Sequence, residues 1–206
     1  MEALVIIDVQ NDFCKNGALE VPEAHKIIPV INRLAENFDV VVQTQDWHPA
    51  GHSSFASQHA GKADYETVEM PYGEQVLWPD HCVQGSRGAE FHPDLNTDAS
   101  QLIIRKGFRK SIDSYSAFYE NDQLTPTGLK GFLNERNIDR LYIAGLAADF
   151  CVKWSVLDGL KEGFEVVVVE DAVKGIDLNG SLDQAWTEMK KAGAKSMASK
   201  QIEKSL

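Results

Sequence analysis

Cysteine is scarce in this sequence: three in 206 residues, at Cys14, Cys82 and Cys151. An odd number at irregular spacing makes no disulfide framework, so each thiol serves either packing or chemistry. Long apolar runs are lacking too. None approaches the ~18 residues of a membrane-spanning helix, which argues against a membrane protein. Positive charge is in deficit, with 20 Lys and Arg against 31 Asp and Glu and a formal net charge of −11. Such a surface repels nucleic acid and anionic lipid, so neither is an expected partner. The opening residues, MEALVIIDVQNDF, carry an acid at position 2 and no basic stretch. They read as a first strand rather than an export signal, and the expected compartment is the reducing cytoplasm. Nothing in the sequence forces an assembly; a monomer and a homo-oligomer are both compatible with it.

What is present is a full apolar core, at 43% hydrophobic residues, in short β-branched runs. These are ALVIIDV (residues 3–9), DVVVQTQ (39–45), QLIIRKG (101–107), RLYIAGL (140–146) and EVVVVED (165–171), with AKSMAS (194–199) a weaker sixth. They are continuous rather than alternating, as strands covered on both faces must be. Helical patterns lie between most of them. Ile27, Val30, Ile31 and Leu34 form one stripe, with Pro29 in its first turn. Residues 125–137 form a second, 150–162 a third closed by Gly163, and 181–192 a fourth closed by Gly193. The pattern predicts an α/β fold, a three-layer α/β/α arrangement around a mostly parallel six-stranded sheet. The chain reads as one domain over 1–206. Residues 47–100 are the exception: long, weakly periodic and rich in His, Pro, Gly and Ser. A stretch of that length needs a purpose, and an inserted metal or substrate site supplies one.

In an open α/β sheet, ligands bind beyond the carboxyl ends of the strands. Asp8 stands near the end of the first strand, Lys106 near the end of the third long run, and Cys151 just after RLYIAGL. Taken singly, Asp8 and Lys106 read as a structural ion pair and Cys151 as a packing thiol. Their convergence on one sheet edge favours a nucleophile, a base and an orienting cation. Asp149 is the expected N-cap of the following helix, which would place Cys151 in a first turn whose amides and dipole lower its pKa. Ala147 and Ala148 leave room for a substrate beside the backbone. Cys14 and Cys82 have no such surroundings and read as packing thiols.

A second constellation spans TQDWHPAGHSSFA and LWPDHCVQGS. Asp46 and His48 are two residues apart in an extended segment, so their side chains face the same way. They can share one divalent ion, with His81 as third ligand and either His52 or a water near Ser54 completing the site. Two imidazoles and a carboxylate suit zinc, iron or manganese.

These segments carry a resemblance. DVQNDF, QDWHPAGHSSFA, WPDHCVQGSRGAEFH, RKG, DSYSAF and GLAADFCV together resemble the nicotinamidase branch of the isochorismatase-like cysteine hydrolases, over nearly the whole chain. The resemblance implies an Asp8–Lys106–Cys151 triad and a metal on Asp46, His48 and His81. It implies an oxyanion hole from the backbone amides of Ala147 and Cys151, with a cis Leu146–Ala147 peptide. It implies a ring pocket of Phe13, Leu19, Trp78 and Tyr115. Some relatives use a further histidine as metal ligand; Ser54 occupies the aligned place here. The implied reaction is hydrolysis of nicotinamide to nicotinate and ammonia through a Cys151 thioester, in NAD salvage, with pyrazinamide as a further substrate. Another small-amide or carbamoyl hydrolase of the same superfamily is the nearest alternative. A non-catalytic metal-binding module is the alternative of a different class.

Overall fold

The computed structural model describes residues 1–204, and six of its eight strands lie where the apolar runs do, the other two falling in the 47–100 stretch. They are β1 (Glu2–Ile7), β2 (Val41–Asp46), β3 (Thr67–Met70), β4 (Gly73–Val76), β5 (Leu102–Lys106), β6 (Arg140–Leu146), β7 (Glu165–Lys174) and β8 (Lys195–Met197). Six of them form one sheet in the order β5-β2-β1-β6-β7-β8, every neighbouring pair parallel. The helices are α1 (Ile28–Ala35), α2 (Leu129–Glu135), α3 (Lys153–Lys161), α4 (Ser181–Ala192) and α5 (Ser199–Ile202). Alternation along β1 sorts the core. Leu4 and Ile6 point into one apolar cluster with Ile28, Ile31 and Leu34 of α1 and Ile202 of α5. Ala3, Val5 and Ile7 point into the other, with Leu129 and Leu133 of α2, Val156 of α3 and Met189 of α4. Both faces of the sheet are therefore covered, which is the predicted three-layer arrangement. Each fully buried Leu, Ile or Val contributes about 1.5–3 kcal/mol.

Two predicted helices differ in extent. The one expected over 125–137 starts only at Leu129. Asp122 accepts from the Thr125 amide (2.9 Å) and hydroxyl (2.7 Å), Pro126 bridges to Tyr119, and Gly128 stands at φ +100°. Those three features keep the TPTG stretch out of the helix. The one expected over 150–162 opens as a π-turn, Ala148–Val152, before α3 begins at Lys153. Asp149 is not its N-cap: Ala147 holds that place without a side-chain cap. The 47–100 stretch contains the antiparallel β3–β4 hairpin and short 3-10 turns at Ala56–Gln58 and Arg87–Ala89. Among the described residues, no helix is long and apolar enough to cross a membrane.

The chain runs outward from β1 to β2 and β5, then returns to build β6, β7 and β8 on the other side. The reversal opens a crevice between β1 and β6 at their carboxyl ends. Gly145 lets the two strands close there. At φ +113° its position admits no side chain, since a Cβ would stand 2.1 Å from the Ile7 carbonyl oxygen.

Candidate functional site

Four strand ends supply the site. Asp8 follows β1, Asp46 ends β2, Lys106 ends β5, and Cys151 lies in the π-turn after β6. The parallel register sets Asp46 directly beside Lys106. Asp8 sits in the left-handed region at φ +48°, a conformation that costs a non-glycine residue on the order of 1 kcal/mol. Thr44 holds it: its hydroxyl donates to Asp8 Oδ1 at 2.6 Å and accepts from the Asp8 amide at 3.2 Å.

Lys106 is the hub. Its ammonium contacts Asp8 Oδ2 at 2.7 Å and Asp46 Oδ1, and donates to the Ser114 carbonyl at 3.0 Å and Cys151 Sγ at 3.4 Å. It is 1% exposed, and a lone charge that deep would cost several kcal/mol. The two carboxylates compensate it and hold the Lys106 pKa well above its ordinary value against the effect of burial. A carboxylate oxygen of Asp8, one of Asp46 and the sulfur of Cys151 all lie within 4.8 Å of one another. The sequence-predicted triad residues therefore share one buried space.

Their titration differs from the sequence expectation. The Cys151 thiol is pushed well above its ordinary value, by burial first; Lys106 opposes this, while Asp8, Asp46 and Asp113 reinforce it. Burial and the neighbouring carboxylates outweigh the Lys106 charge. Cys151 rests as a thiol and needs a base. Burial lifts Asp8 from 3.8 to about 6, with Lys106 opposing and Asp46 adding, which makes it a proton acceptor of useful strength. Burial also works against the Asp46 carboxylate, but Lys106 and His48 outweigh it and hold Asp46 well below its usual range.

Asp46 turns its second oxygen toward two imidazoles, with Oδ2 at 3.5 Å from His48 Nε2 and 3.7 Å from His81 Nε2. The other nitrogen of each ring is committed to backbone, His48 Nδ1 to the Gly107 carbonyl (2.9 Å) and His81 Nδ1 to the Pro79 carbonyl (2.8 Å). Carbonyls accept only, so each Nδ1 carries the proton and each Nε2 presents a lone pair toward a carboxylate. Three acceptors converging within 4.8 Å without a donor among them form a cation site, and the donor set fits a divalent transition metal. Gly107, at φ +65°, is shaped for this ring: a Cβ there would stand 2.4 Å from His48 Cε1. Burial works against a charged His48, yet Asp46 outweighs it and raises the pKa, a further sign that positive charge is favoured here. His52 spends both ring nitrogens elsewhere, on the Ser54 hydroxyl (2.7 Å) and the Ile112 carbonyl (3.1 Å). It packs against His48 at a ring separation of 4.4 Å, and His48, His52 and Asp113 form a second group whose candidate ligand atoms lie within 4.8 Å of one another.

A narrow pocket joins the two groups, with Cys151 and Ala147 on one side and Asp46, His48 and His81 on the other. Phe13, Leu19, Trp78 and Tyr115 line it, each a residue singled out from the sequence. Trp78 is buried and meets Phe150 edge to face at 4.7 Å. Tyr115 accepts from Trp78 Nε1 (3.1 Å) and Gln75 Nε2 (2.8 Å), and Gln75 also donates to Asp113 (3.0 Å). The larger surface depression of about 410 Å³ around Lys15 and Arg87 contains none of the triad or of the cation trio. The Leu146–Ala147 peptide is cis. Cys14 and Cys82 are buried, and burial pushes Cys14 to about 11 and Cys82 well above its ordinary value, in keeping with packing thiols.

Sequence reasoning missed five contributors. Asp113, Phe150 and Ile176 line the pocket. Thr44 seats Asp8. Gln10 clamps the Asp46 backbone, accepting from its amide and donating to its carbonyl, both at 2.8 Å. Gln10 lies inside DVQNDF and Thr44 two residues before Asp46, so both stood within quoted motifs, without a visible partner.

The Isochorismatase domain family matches residues 2–201. A nicotinamidase of Acinetobacter baylyi is 54% identical over 97% of this chain and 94% of its own length. Among solved structures, a nicotinamidase/pyrazinamidase of Acinetobacter baumanii superposes with a TM-score of 0.96 at 58% identity, covering 98% of this chain and 97% of that one. The pyrazinamidase of Pyrococcus horikoshii in complex with zinc superposes with a TM-score of 0.77 at 39% identity, covering 96% and 98%. A cysteine, a carboxylate and a lysine on the strand ends of a parallel sheet thus come with likeness along nearly the full length, and the chain belongs to the isochorismatase family.

Proposed function

We propose that the chain is a nicotinamidase of NAD salvage, hydrolysing nicotinamide to nicotinate and ammonia and accepting pyrazinamide. The observation that carries this reading is the contact set of Lys106, with Cys151 Sγ at 3.4 Å and Asp8 Oδ2 at 2.7 Å, at the wall of an aromatic-lined pocket. Relatives 54% and 58% identical bear the nicotinamidase name.

In this reading Asp8 takes the proton from the Cys151 thiol, and the sulfur attacks the carboxamide carbon. The developing oxyanion is received by the backbone amides of Ala147 and Cys151, where one donor is worth roughly 3 kcal/mol. Asp8 returns its proton to the leaving nitrogen as the C–N bond breaks, and ammonia departs. Asp8 then takes a proton from water, which cleaves the thioester and restores the thiol. Lys106 balances charge throughout and keeps Asp8 and Cys151 in contact range. Phe13, Leu19, Trp78 and Tyr115 hold the ring and exclude water.

Asp46, His48 and His81 would hold a divalent ion, which we assign as zinc on the two-imidazole, one-carboxylate donor set and the likeness to the zinc-bound archaeal pyrazinamidase. When bound, the ion supplies a Lewis-acidic anchor for a ring nitrogen. The test is ammonia release from nicotinamide and from an aliphatic amide, with metal analysis of the same sample. Turnover of nicotinamide well above the aliphatic amide is expected; the reverse preference refutes the substrate and points to a sibling amidase.

A further inference from the structure

Asp149 stands two residues before the nucleophile, and its carboxylate is buried. It does not serve its own turn. Oδ1 accepts from the Ile176 amide at 3.0 Å, and Oδ2 accepts from the Asp177 amide at 2.8 Å and the Ser181 hydroxyl at 2.5 Å. The Ser181 oxygen in turn accepts from the Leu178 amide at 2.8 Å. The backbone donors belong to the turn between β7 and α4, and Ser181 is the first residue of α4. That turn is not one the chain adopts freely: Asp177 and Asn179 both sit at left-handed φ, +61° and +52°. Ile176, at its start, lines the substrate pocket together with Phe13, Leu19 and Phe150.

We infer that Asp149 is a positioning residue that fixes the Ile176 wall of the ring pocket by tying the 176–181 turn to the nucleophile's own turn. The physical reason is a match of needs. A buried carboxylate requires several donors, and an ionised acceptor makes stronger hydrogen bonds than a neutral one. A turn with two left-handed residues requires an external hold. Each satisfies the other, and the consequence is that the distance from Cys151 to the Ile176 wall is set by one side chain. The role predicted is in ring binding, not in thioester chemistry, since both Asp149 oxygens accept from residues 176–181. The inference rests on the nicotinamidase reading for its substrate.

The experiment compares wild type, Ser181→Ala, Asp149→Asn, Ile176→Ala and the double variant Ile176→Ala/Ser181→Ala. It uses ammonia release from nicotinamide, with backbone hydrogen exchange at residues 176–178 on the same proteins. Ser181→Ala is expected to raise KM by about three- to tenfold with kcat within about twofold, and to speed exchange at Ile176 and Asp177. Asp149→Asn is expected to do the same more strongly, because in either orientation its amide NH2 meets at least one backbone donor, Ile176 or Asp177. In the Ile176→Ala background, removing the Ser181 hydroxyl is expected to change KM by less than about twofold, since the wall it positions is gone. Unchanged KM and exchange in folded Ser181→Ala overturn the inference. So does a loss confined to kcat, or effects of Ser181→Ala and Ile176→Ala on KM that simply multiply. If Asp149→Asn does not fold, Ser181→Ala decides alone. Wild-type protein that releases no ammonia sinks the functional reading instead, and normal exchange protection at 176–177 in that protein identifies which of the two has failed.

Discussion

Asp8→Asn separates what the base does for catalysis from what it costs the fold. The carboxyl is fully buried, and burial lifts its pKa from 3.8 to about 6. A group whose folded pKa is raised contributes stability below its unfolded pKa and loses it as pH rises through the folded one. From 3.8 to about 6 the ionised form therefore costs the native state about 3 kcal/mol at neutral pH. Most of the cost is already present at pH 5, and between pH 5 and 7.5 it grows by about 1.4 kcal/mol. Asparagine keeps the acceptor for Thr44 but cannot ionise, and it sets an amide beside the Lys106 ammonium. That second effect is constant with pH, because neither partner titrates in the interval. The pH difference is thus cleaner than either absolute value. Equilibrium urea denaturation of both proteins, with metal chelated, at pH 5 and 7.5 is the assay. Relative to the variant, wild type is expected to lose about 1.4 kcal/mol across the interval. In parallel, wild-type kcat/KM is expected to fall about tenfold per pH unit below pH 6, and the variant to lose most of its activity at every pH. A stability difference that is flat with pH, or wild-type activity undiminished at pH 5, refutes the reasoning that Asp8 is a costly, high-pKa base.

Cys151→Ala is expected to abolish ammonia release while leaving the urea midpoint and bound metal unchanged; substantial turnover by that variant would remove the nucleophile from the mechanism. Lys106→Met leaves Asp8 and Asp46 buried without their shared cation, and a destabilisation of about 3–5 kcal/mol by denaturation is expected. His81→Ala is expected to lose stoichiometric metal by elemental analysis without loss of the circular dichroism of the sheet. Gly107→Ala pushes a methyl group into the His48 ring and is expected to weaken metal affinity about 10- to 100-fold, read by competition with a chromophoric chelator; affinity equal to wild type would show that the ring is not held from that side.

The strand runs were legible because a strand covered on both faces needs an unbroken apolar stretch, and a stretch like EVVVVED has few other uses. The site was legible where chemistry sits at strand ends: Asp8, Asp46, Lys106 and Cys151 each lie at or just beyond the carboxyl end of such a run. What stayed hidden depends on contacts far apart in sequence. Asp149 has the local look of a helix cap, and only the fold shows that its partners lie at 176–181. Gln10 and Asp113 are ordinary polar residues until the β2 end and the pocket are placed beside them. The thiol of Cys151 was misjudged in direction because a helix start is visible in sequence, whereas the depth of burial and the number of nearby carboxylates are not. Helix α2 was overextended because the periodicity of 125–137 does not reveal that Asp122 captures Thr125.

The outward-then-return course of the sheet has a consequence for biogenesis. A ribosome that has released only the first hundred or so residues has made the acid, the cation trio and the lysine, but not the Cys151 sulfur. The nucleophile arrives on the return leg, and the turn that shapes its pocket follows later still. Hydrolytic competence therefore appears late in synthesis. A truncated product, or a chain halted midway, lacks both Cys151 and β6, the strand that borders β1.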